Sequence, residues 1–147
     1  MTGLRVINLD NAGLPALADA LFAAGLPNSD IGDAGRLFFR FENELGIAGY
    51  GGLEGGNADR LMCSVVVPPG RQGRGMGRAI VADIEREAAA MGAERLHLLT
   101  TTAAAFFSGI GYQVADRTSA PAIIAASAEF TSLCPASAVY MIKTLEI

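Results

Sequence analysis

Ser64-Val65-Val66-Val67-Pro68-Pro69-Gly70-Arg71-Gln72-Gly73-Arg74-Gly75-Met76-Gly77-Arg78 decides how the rest of the chain is read. The valines extend an apolar run from Arg60 that reads as a strand. A loop with glycines at 70, 73, 75 and 77 follows, and a helix opens directly after it. Such a loop lets backbone N–H groups approach a phosphate without Cβ atoms in the way, and the helix start adds the positive end of its dipole. Arg71, Arg74 and Arg78 add cationic side chains. The stretch therefore predicts a site for the pyrophosphate of a cofactor.

Outward from this loop the chain reads as one α/β unit. Arg5 to Leu9 reads as a strand, and Leu14, Leu17, Ala18 and Leu21 recur at helical spacing until Gly25-Leu26-Pro27 stops them. Gly35 to Glu42 and Leu45 to Glu54 read as two strands of a meander, the second weakened or bulged at its glycines. Gly55-Gly56-Asn57-Ala58-Asp59 reads as a turn into the strand before the loop. The helix after the loop carries Ile80, Val81, Ile84, Ala88 and Met91 on one face and sends Asp83, Glu85, Arg86 and Glu87 mainly away from it. Arg95 to Thr101 is a buried strand, which completes a right-handed βαβ unit. A short helix from Ala103 to Ile110, a strand from Gly111 to Val114, a helical turn at Pro121 to Ala126 and a strand from Ala138 to Leu145 follow. The fold class is thus α/β (α+β), a mixed and mostly antiparallel twisted sheet flanked by helices around a central βαβ unit, with residues 1–147 as a single domain.

Composition sets the bounds. A chain of 147 residues, 51% hydrophobic, can bury a core without staples. A formal net charge of −4 disfavours nucleic acid as a partner. No apolar run approaches the roughly 18 residues of a spanning helix, and no signal core follows Met1, so no membrane is expected and the cytoplasm is the expected location. Cys63 and Cys134 show no metal spacing and read as reduced, buried thiols. His97, the one histidine, lies in Leu96-His97-Leu98-Leu99 and reads as structural. No metal site is expected.

Two standard phosphate loops fail. A Walker loop needs Lys and Ser/Thr where Met76-Gly77 stand, and Gly73-x-Gly75-x-Gly77 does not match GxGxxG. Gln72-Gly73-Arg74-Gly75-Met76-Gly77 instead resembles the Gln/Arg-x-x-Gly-x-Gly/Ala signature of the GNAT superfamily of N-acetyltransferases. Ala105-Phe106-Phe107-Ser108-Gly109-Ile110-Gly111-Tyr112 resembles the aromatic helix that this family carries further on. Gly52-Leu53-Glu54, Leu98-Leu99-Thr100-Thr101-Thr102-Ala103 and the segment Glu129 to Ala138 are similar to small GNAT proteins associated with arsenic resistance. The Leu-Thr-Thr…Phe…Gly pattern is also similar to the acetyltransferase domain of N-acetylglutamate synthases.

The resemblance implies acetyl-CoA as cosubstrate and the amine of a small molecule as acceptor, an amino acid or an amino-acid-like toxin among the options. It implies that backbone amides of Gly73, Arg74, Gly75, Gly77 and Arg78 hold the pyrophosphate, with Gln72 at the signature position and side chains at Gly75 and Gly77 pushing the backbone off the phosphates. It implies that the Val65 N–H polarises the acetyl carbonyl, that Val67 pairs with the pantetheine arm, and that Phe106 and Phe107 pack on the thiol end. Relatives of this kind commonly pair as homodimers.

Transfer needs a neutral amine, and amines have pKa values of about 8 to 10.4. A carboxylate, or water leading to one, must take the proton. Glu54, at the expected strand end, is the candidate base, with Glu42 and Glu44 weaker choices. The family often has a tyrosine in the aromatic helix to protonate the departing thiolate; Phe107 stands there, leaving Ser108, Tyr112 or Tyr140 as substitutes. A thiol of pKa about 8.5 leaves near neutrality with modest help. Arg36, Arg40 and Arg60 are candidates to clamp an acceptor oxyanion, and Thr100, Thr101, Thr102, Ser132 and Ser137 to hydrogen-bond it. A non-catalytic acyl-CoA-binding module, or a protein N-acetyltransferase, are the competing functions.

Overall fold

A computed structural model describes residues 4–25, 36–56, 58–72, 75–127, 130 and 137–145. The elements are β1 (Arg5–Asn8), α1 (Leu14–Ala23), β2 (Arg36–Asn43), β3 (Gly46–Gly56), β4 (Asp59–Val66), α2 (Met76–Ala90), β5 (Arg95–Thr100), α3 (Ala104–Ser108), β6 (Gln113–Val114), α4 (Ala122–Ala125) and β7 (Val139–Thr144). They form one seven-stranded sheet in the order β1-β2-β3-β4-β5-β7-β6. Every pairing is antiparallel except β4 with β5. The expected α/β class and central βαβ unit are present. Among the described residues no helix is long and apolar enough to cross a membrane.

The glycines of β3 explain themselves by what packs on them. A Cβ at Gly49 would lie 2.5 Å from the Val66 carbonyl oxygen and 2.6 Å from Ile80 Cδ1, and one at Gly51 would lie 2.5 Å from Ile84 Cδ1. They let α2 settle onto the strand. The α2 face of the sheet is built from Phe39, Phe41, Leu53, Met62, Leu96, Leu98 and Met141 under Ile80, Val81, Ile84 and Ala88. The other face carries a smaller cluster, with Leu17 and Leu21 of α1 over Phe38, Tyr50, Cys63 and Val66. Asp83 departs from the expected solvated face of α2: it is 4% exposed, ion-paired with Arg86 and hydrogen-bonded by the Leu4 amide.

Two irregularities open the sheet near its middle. The parallel β4–β5 ladder holds only Asp59↔Arg95, Arg60↔Leu96 and Leu61↔His97, after which the strands part. In addition, β4 bulges against β3: Tyr50 pairs with Val66 and Gly52 with Cys63, so β4 carries one extra residue there. Ser64 takes the left-handed conformation, φ 58°. The extra residue inverts the alternation, so that Cys63 and Val66 face α1 while Met62, Val65 and Val67 pack toward α2. Ser64 and Val65 have no partner in register on either side.

The remaining differences from expectation are small. β3 runs on to Gly56, which shortens the turn before β4. β6 keeps only two residues, and α3 and α4 are single short turns.

Candidate active site

The fork between β4 and β5 leads into the glycine loop and α2. Pro69–Arg71 makes one 3₁₀ turn, and α2 starts at Met76 with Gly75 as its N-cap. Gly75 is left-handed, φ 76°, and no side chain caps the helix. No acidic residue lies in the first turn. The first N–H groups of a helix have no partner within it, so this end presents uncompensated donors and the positive end of the dipole of a 15-residue helix. A phosphate suits that arrangement.

Site residues taken from the sequence fall into three groups here. Gly75, Gly77 and Arg78 stand at the helix start, with Arg78 exposed. The space beside these glycines is open within the protein itself: a Cβ at Gly75 would meet nothing within 4 Å, and one at Gly77 would make ordinary contact with Phe106 at 3.5 Å. Gly75 is also favoured by its positive φ. Gln72 donates from Nε2 to the Val67 carbonyl at 2.9 Å, strapping the loop back onto the end of β4. Gly73 and Arg74 lie outside the described residues, as do Glu129, Ser132 and Cys134.

Arg71 is held by acceptors of the protein itself. Its guanidinium donates to the Ile47 carbonyl at 2.9 Å and to Asn43 Oδ1 at 2.6 Å. It therefore ties the loop to the β2–β3 turn. The aromatic pair divides its labour. Phe106 is 39% exposed, and its ring lies over Gly77 beside Val67. Phe107 is 8% exposed, within the core, edge-on to Tyr112 at 5.4 Å between ring centroids.

Tyr112 does not replace the missing hydroxyl at the fork. Its OH donates to Glu85 Oε2 at 2.9 Å on the α2 side, where Lys143 pairs with the same carboxylate at 3.0 Å. Burial, then the Glu85 charge, pushes the Tyr112 phenol well above its usual pKa.

Glu54 is not at the end of its strand. It lies inside β3, opposite Arg36 on one side and Leu61 on the other, and Arg36 Nη2 stands 3.4 Å from its Oε1. Three residue steps along β4 take the chain from Leu61 to the bulge at Ser64, about 10 Å of strand. The structure thus does not bring Glu54 to Val65. Glu42 is occupied by Arg5 and by Arg40 at 2.7 Å, and the Arg5 hydrogen bond chiefly holds its carboxyl below the usual range. The three candidate clamp arginines do not converge. Arg36 and Arg40 pair with Glu54 and Glu42, while Arg60 lies on the α2 face with its Nη1 4.0 Å from Met91 Sδ. Thr100 Oγ1 accepts from the Ala103 amide at 3.0 Å and so shapes the entry to α3.

A constellation that sequence reading missed sits at the foot of the fork. His97 is 1% exposed, with Nδ1 2.7 Å from Tyr140 Oη and Nε2 2.8 Å from Asp59 Oδ1. Arg95 grips the same carboxylate at 2.7 and 3.1 Å. The Arg95 hydrogen bonds chiefly hold Asp59 below its usual pKa. Burial holds His97 below its ordinary value despite Asp59, and burial raises Tyr140 to about 12. The signal was weak: a polar residue in an apolar strand, with partners 38 and 43 positions away. Among the described residues no three His, Cys, Asp or Glu side chains group as a metal site.

Solved structures share this architecture. N-acetylglutamate synthase from Neisseria gonorrhoeae, complexed with coenzyme A and N-acetyl-glutamate, matches over 100% of this chain and 36% of its own, at 17% identity and a TM-score of 0.80. The chain thus spans about a third of that protein. Rv2747 from Mycobacterium tuberculosis, in complex with CoA, matches over 97% of this chain and 99% of its own, at 20% identity and a TM-score of 0.77. Aminoglycoside 6'-N-acetyltransferase complexed with coenzyme A matches over 97% and 98%, at 15% identity and a TM-score of 0.70. At these identities the likeness is one of fold. No curated protein sequence matches the chain. The sequence itself, however, fits the acetyltransferase (GNAT) domain family over residues 34–114, the span that holds β2 through β6, the bulge, the glycine loop and the aromatic helix, and the chain belongs to that family.

Proposed function

We propose that this protein is an acetyl-CoA-dependent N-acetyltransferase that moves an acetyl group directly to the amine of a small, amino-acid-like acceptor. The observation that carries the reading is the fork. Two unpaired residues, Ser64 and Val65, lie where β4 leaves β5, and the same strand runs on to an uncapped helix start. In this reading the amides of residues 73–78 take the pyrophosphate, and the pantetheine arm lies along Val65 and Val67 as an added strand. The Val65 N–H polarises the acetyl carbonyl where negative charge develops. Phe106, exposed over Gly77, covers the arm from the α3 side. Glu54, an acidic group of the face opposite α2, draws the acceptor's ammonium toward the fork, and reaches an amine at the bulge only through water.

Support for an amino-acid-like acceptor comes from the N-acetylglutamate synthase likeness and from the resemblance to arsenic-resistance proteins. The test is release of free thiol from acetyl-CoA across amino acids, aminoglycosides, amino-acid-like arsenicals and peptide N-termini. Thiol release with one small amine, and loss of CoA binding in a folded Gly75→Glu variant, is the expected result. Tight CoA binding with no release for any amine would replace the enzyme with an acyl-CoA-binding module. Unchanged CoA affinity in Gly75→Glu would remove the loop from the site.

A further inference from the structure

We infer that Asp59, His97 and Tyr140 form a built-in proton relay that carries the acceptor's proton away from the fork between β4 and β5. The inference rests on the acetyl-transfer reading above and assigns its proton route. Three adjacent strands, β4, β5 and β7, each supply one link: Tyr140 Oη to His97 Nδ1 at 2.7 Å, and His97 Nε2 to Asp59 Oδ1 at 2.8 Å. His97 occupies the last rung that β4 and β5 share, and Tyr140 pairs with Leu99 two residues beyond it, where the strands have parted. Paired positions share a face, so Glu54, Leu61 and His97 lie in one row on the face opposite α2.

The direction of the relay follows from the chemistry of its ends. An ionised carboxylate only accepts hydrogen bonds, so Asp59 fixes the proton of the neutral imidazole on Nε2. Nδ1 is then an acceptor, and Tyr140 must donate to it. The chain therefore points from Tyr140 toward Asp59. It can take a proton at the phenol oxygen and give one up at the carboxylate, which lies at the start of β4 beside the partly exposed guanidinium of Arg95. It is arranged as a base, not as the acid that Phe107 fails to provide.

The groups that set its titration are few. Arg95 stabilises the Asp59 carboxylate, with Glu94 3.8 Å from Arg95. Glu54 and Arg36 share the row from β3 and β2. Arg117 lies beyond, over the Phe130 ring that packs edge-on against Tyr140. Burial keeps His97 neutral near pH 7, so the imidazole starts each cycle with Nδ1 free to accept.

Each step balances. The acceptor ammonium gives one proton to Tyr140 Oη, Tyr140 passes its own to His97 Nδ1, and His97 passes the Nε2 proton to Asp59, which loses it to water. This leaves the imidazole proton on Nδ1; the Nε2 tautomer is restored before the next acceptor binds, when Asp59 takes a proton back from water and passes it to Nε2 while His97 returns the Nδ1 proton to Tyr140, which releases one to water at the fork. The freed nitrogen lone pair attacks the acetyl carbon, forming the C–N bond. The C–S bond breaks with its electron pair on sulfur, and the surplus proton on nitrogen ends on the thiolate.

Tyr140→Phe keeps the ring and removes the first link. With an α-amine acceptor, kcat/KM at pH 7 is expected to fall about 10²-fold or more, with CoA affinity unchanged. The deficit should shrink as pH rises past the amine's pKa of about 8, because the acceptor then arrives neutral. Should Tyr140→Phe fold poorly, Asp59→Asn, at the accessible end, is expected to fold and to show the same rescue at high pH with a smaller loss. Variants that bind CoA and either match the wild type, or are slowed equally at every pH, would make the cluster a structural network and overturn the relay alone. Wild-type protein that binds CoA but releases no thiol with any amine would overturn acetyl transfer, and the relay with it.

Discussion

The two faces of the sheet are built on opposite rules. Under α2 the packing is dry and close, with Gly49 and Gly51 cut back to the backbone so that Ile80 and Ile84 can sit on the strand. On the other face a row of ionisable and aromatic side chains, Arg36, Glu54, Asp59, His97 and Tyr140, is held by hydrogen bonds and ion pairs at the foot of the fork. The difference teaches a division of work. The α2 face fixes where the helix start and the bulge lie; the opposite face supplies groups that gain and lose protons. A rigid support for a polar site is what precise positioning requires.

The sharpest way to break this contrast is to crowd the dry face. Gly49→Val places a side chain against the Val66 carbonyl, which cannot rotate away. Overpacking typically costs about 1–3 kcal/mol, and more where backbone must move. Thermal denaturation should show a collapse in Tm or no folded protein, and a wild-type Tm would mean that α2 is not seated as described.

A hydroxyl in the same face comes next. Phe107→Tyr restores the family's usual residue at a buried position edge-on to Tyr112. Burying an unpaired hydroxyl costs about 1–3 kcal/mol. Denaturant titration should show that loss, and thiol release should show no gain. A faster enzyme would put Phe107 at the fork after all.

Acid should act on the other face. His97 is held below the ordinary histidine pKa of 6.5, so the unfolded chain binds its proton first and stability falls as pH drops below 6.5 toward the folded value. Asp59 is held below 3.8, so its contribution is present above that pH and is lost only as pH falls through its lower folded value. Tm measured from pH 7 to pH 1.5 should decline in two windows. His97→Gln should remove the upper one, and Asp59→Asn should converge on the wild type at the acid end.

The smallest effect belongs to the tie between the loop and the β2–β3 turn. Arg71→Ala removes the contacts to Asn43 and the Ile47 carbonyl, which are partly exposed. Calorimetry should show CoA affinity reduced a few-fold with Tm nearly unchanged. A complete loss of binding would return Arg71 to direct contact with the phosphates.

Local signals were readable in the sequence, and long-range ones were not. The order of strands and helices and the helix start after Gly75 follow from periodicity and glycine placement, and the family from the resemblance carried by Gln72 to Gly77 and by Ala105 to Tyr112. Phe107 was read correctly as lacking a proton to give, yet its place in the core depends on Tyr112 and on α2, which no spacing reveals. Arg71 looked like an anion ligand because charge and proximity are visible in a sequence; its partners at 43 and 47 are not. Glu54 was set at a strand end because Gly55-Gly56 imitates a turn, whereas β3 continues through both glycines. His97 was read as structural, and the hydrogen bonds to Asp59 and Tyr140 appear only when three strands are laid side by side.

The bulge at Ser64 has a consequence for how this stretch tolerates change in length. Because one surplus residue sets which way the three following valines point, removing any one of Val65, Val66 or Val67 would restore simple alternation and rotate the strand's exit by half a pleat. Substitutions among these aliphatics are compatible with the architecture, but deletions are not. Lineages of this chain should therefore drift in spelling across positions 64–67 while keeping the count.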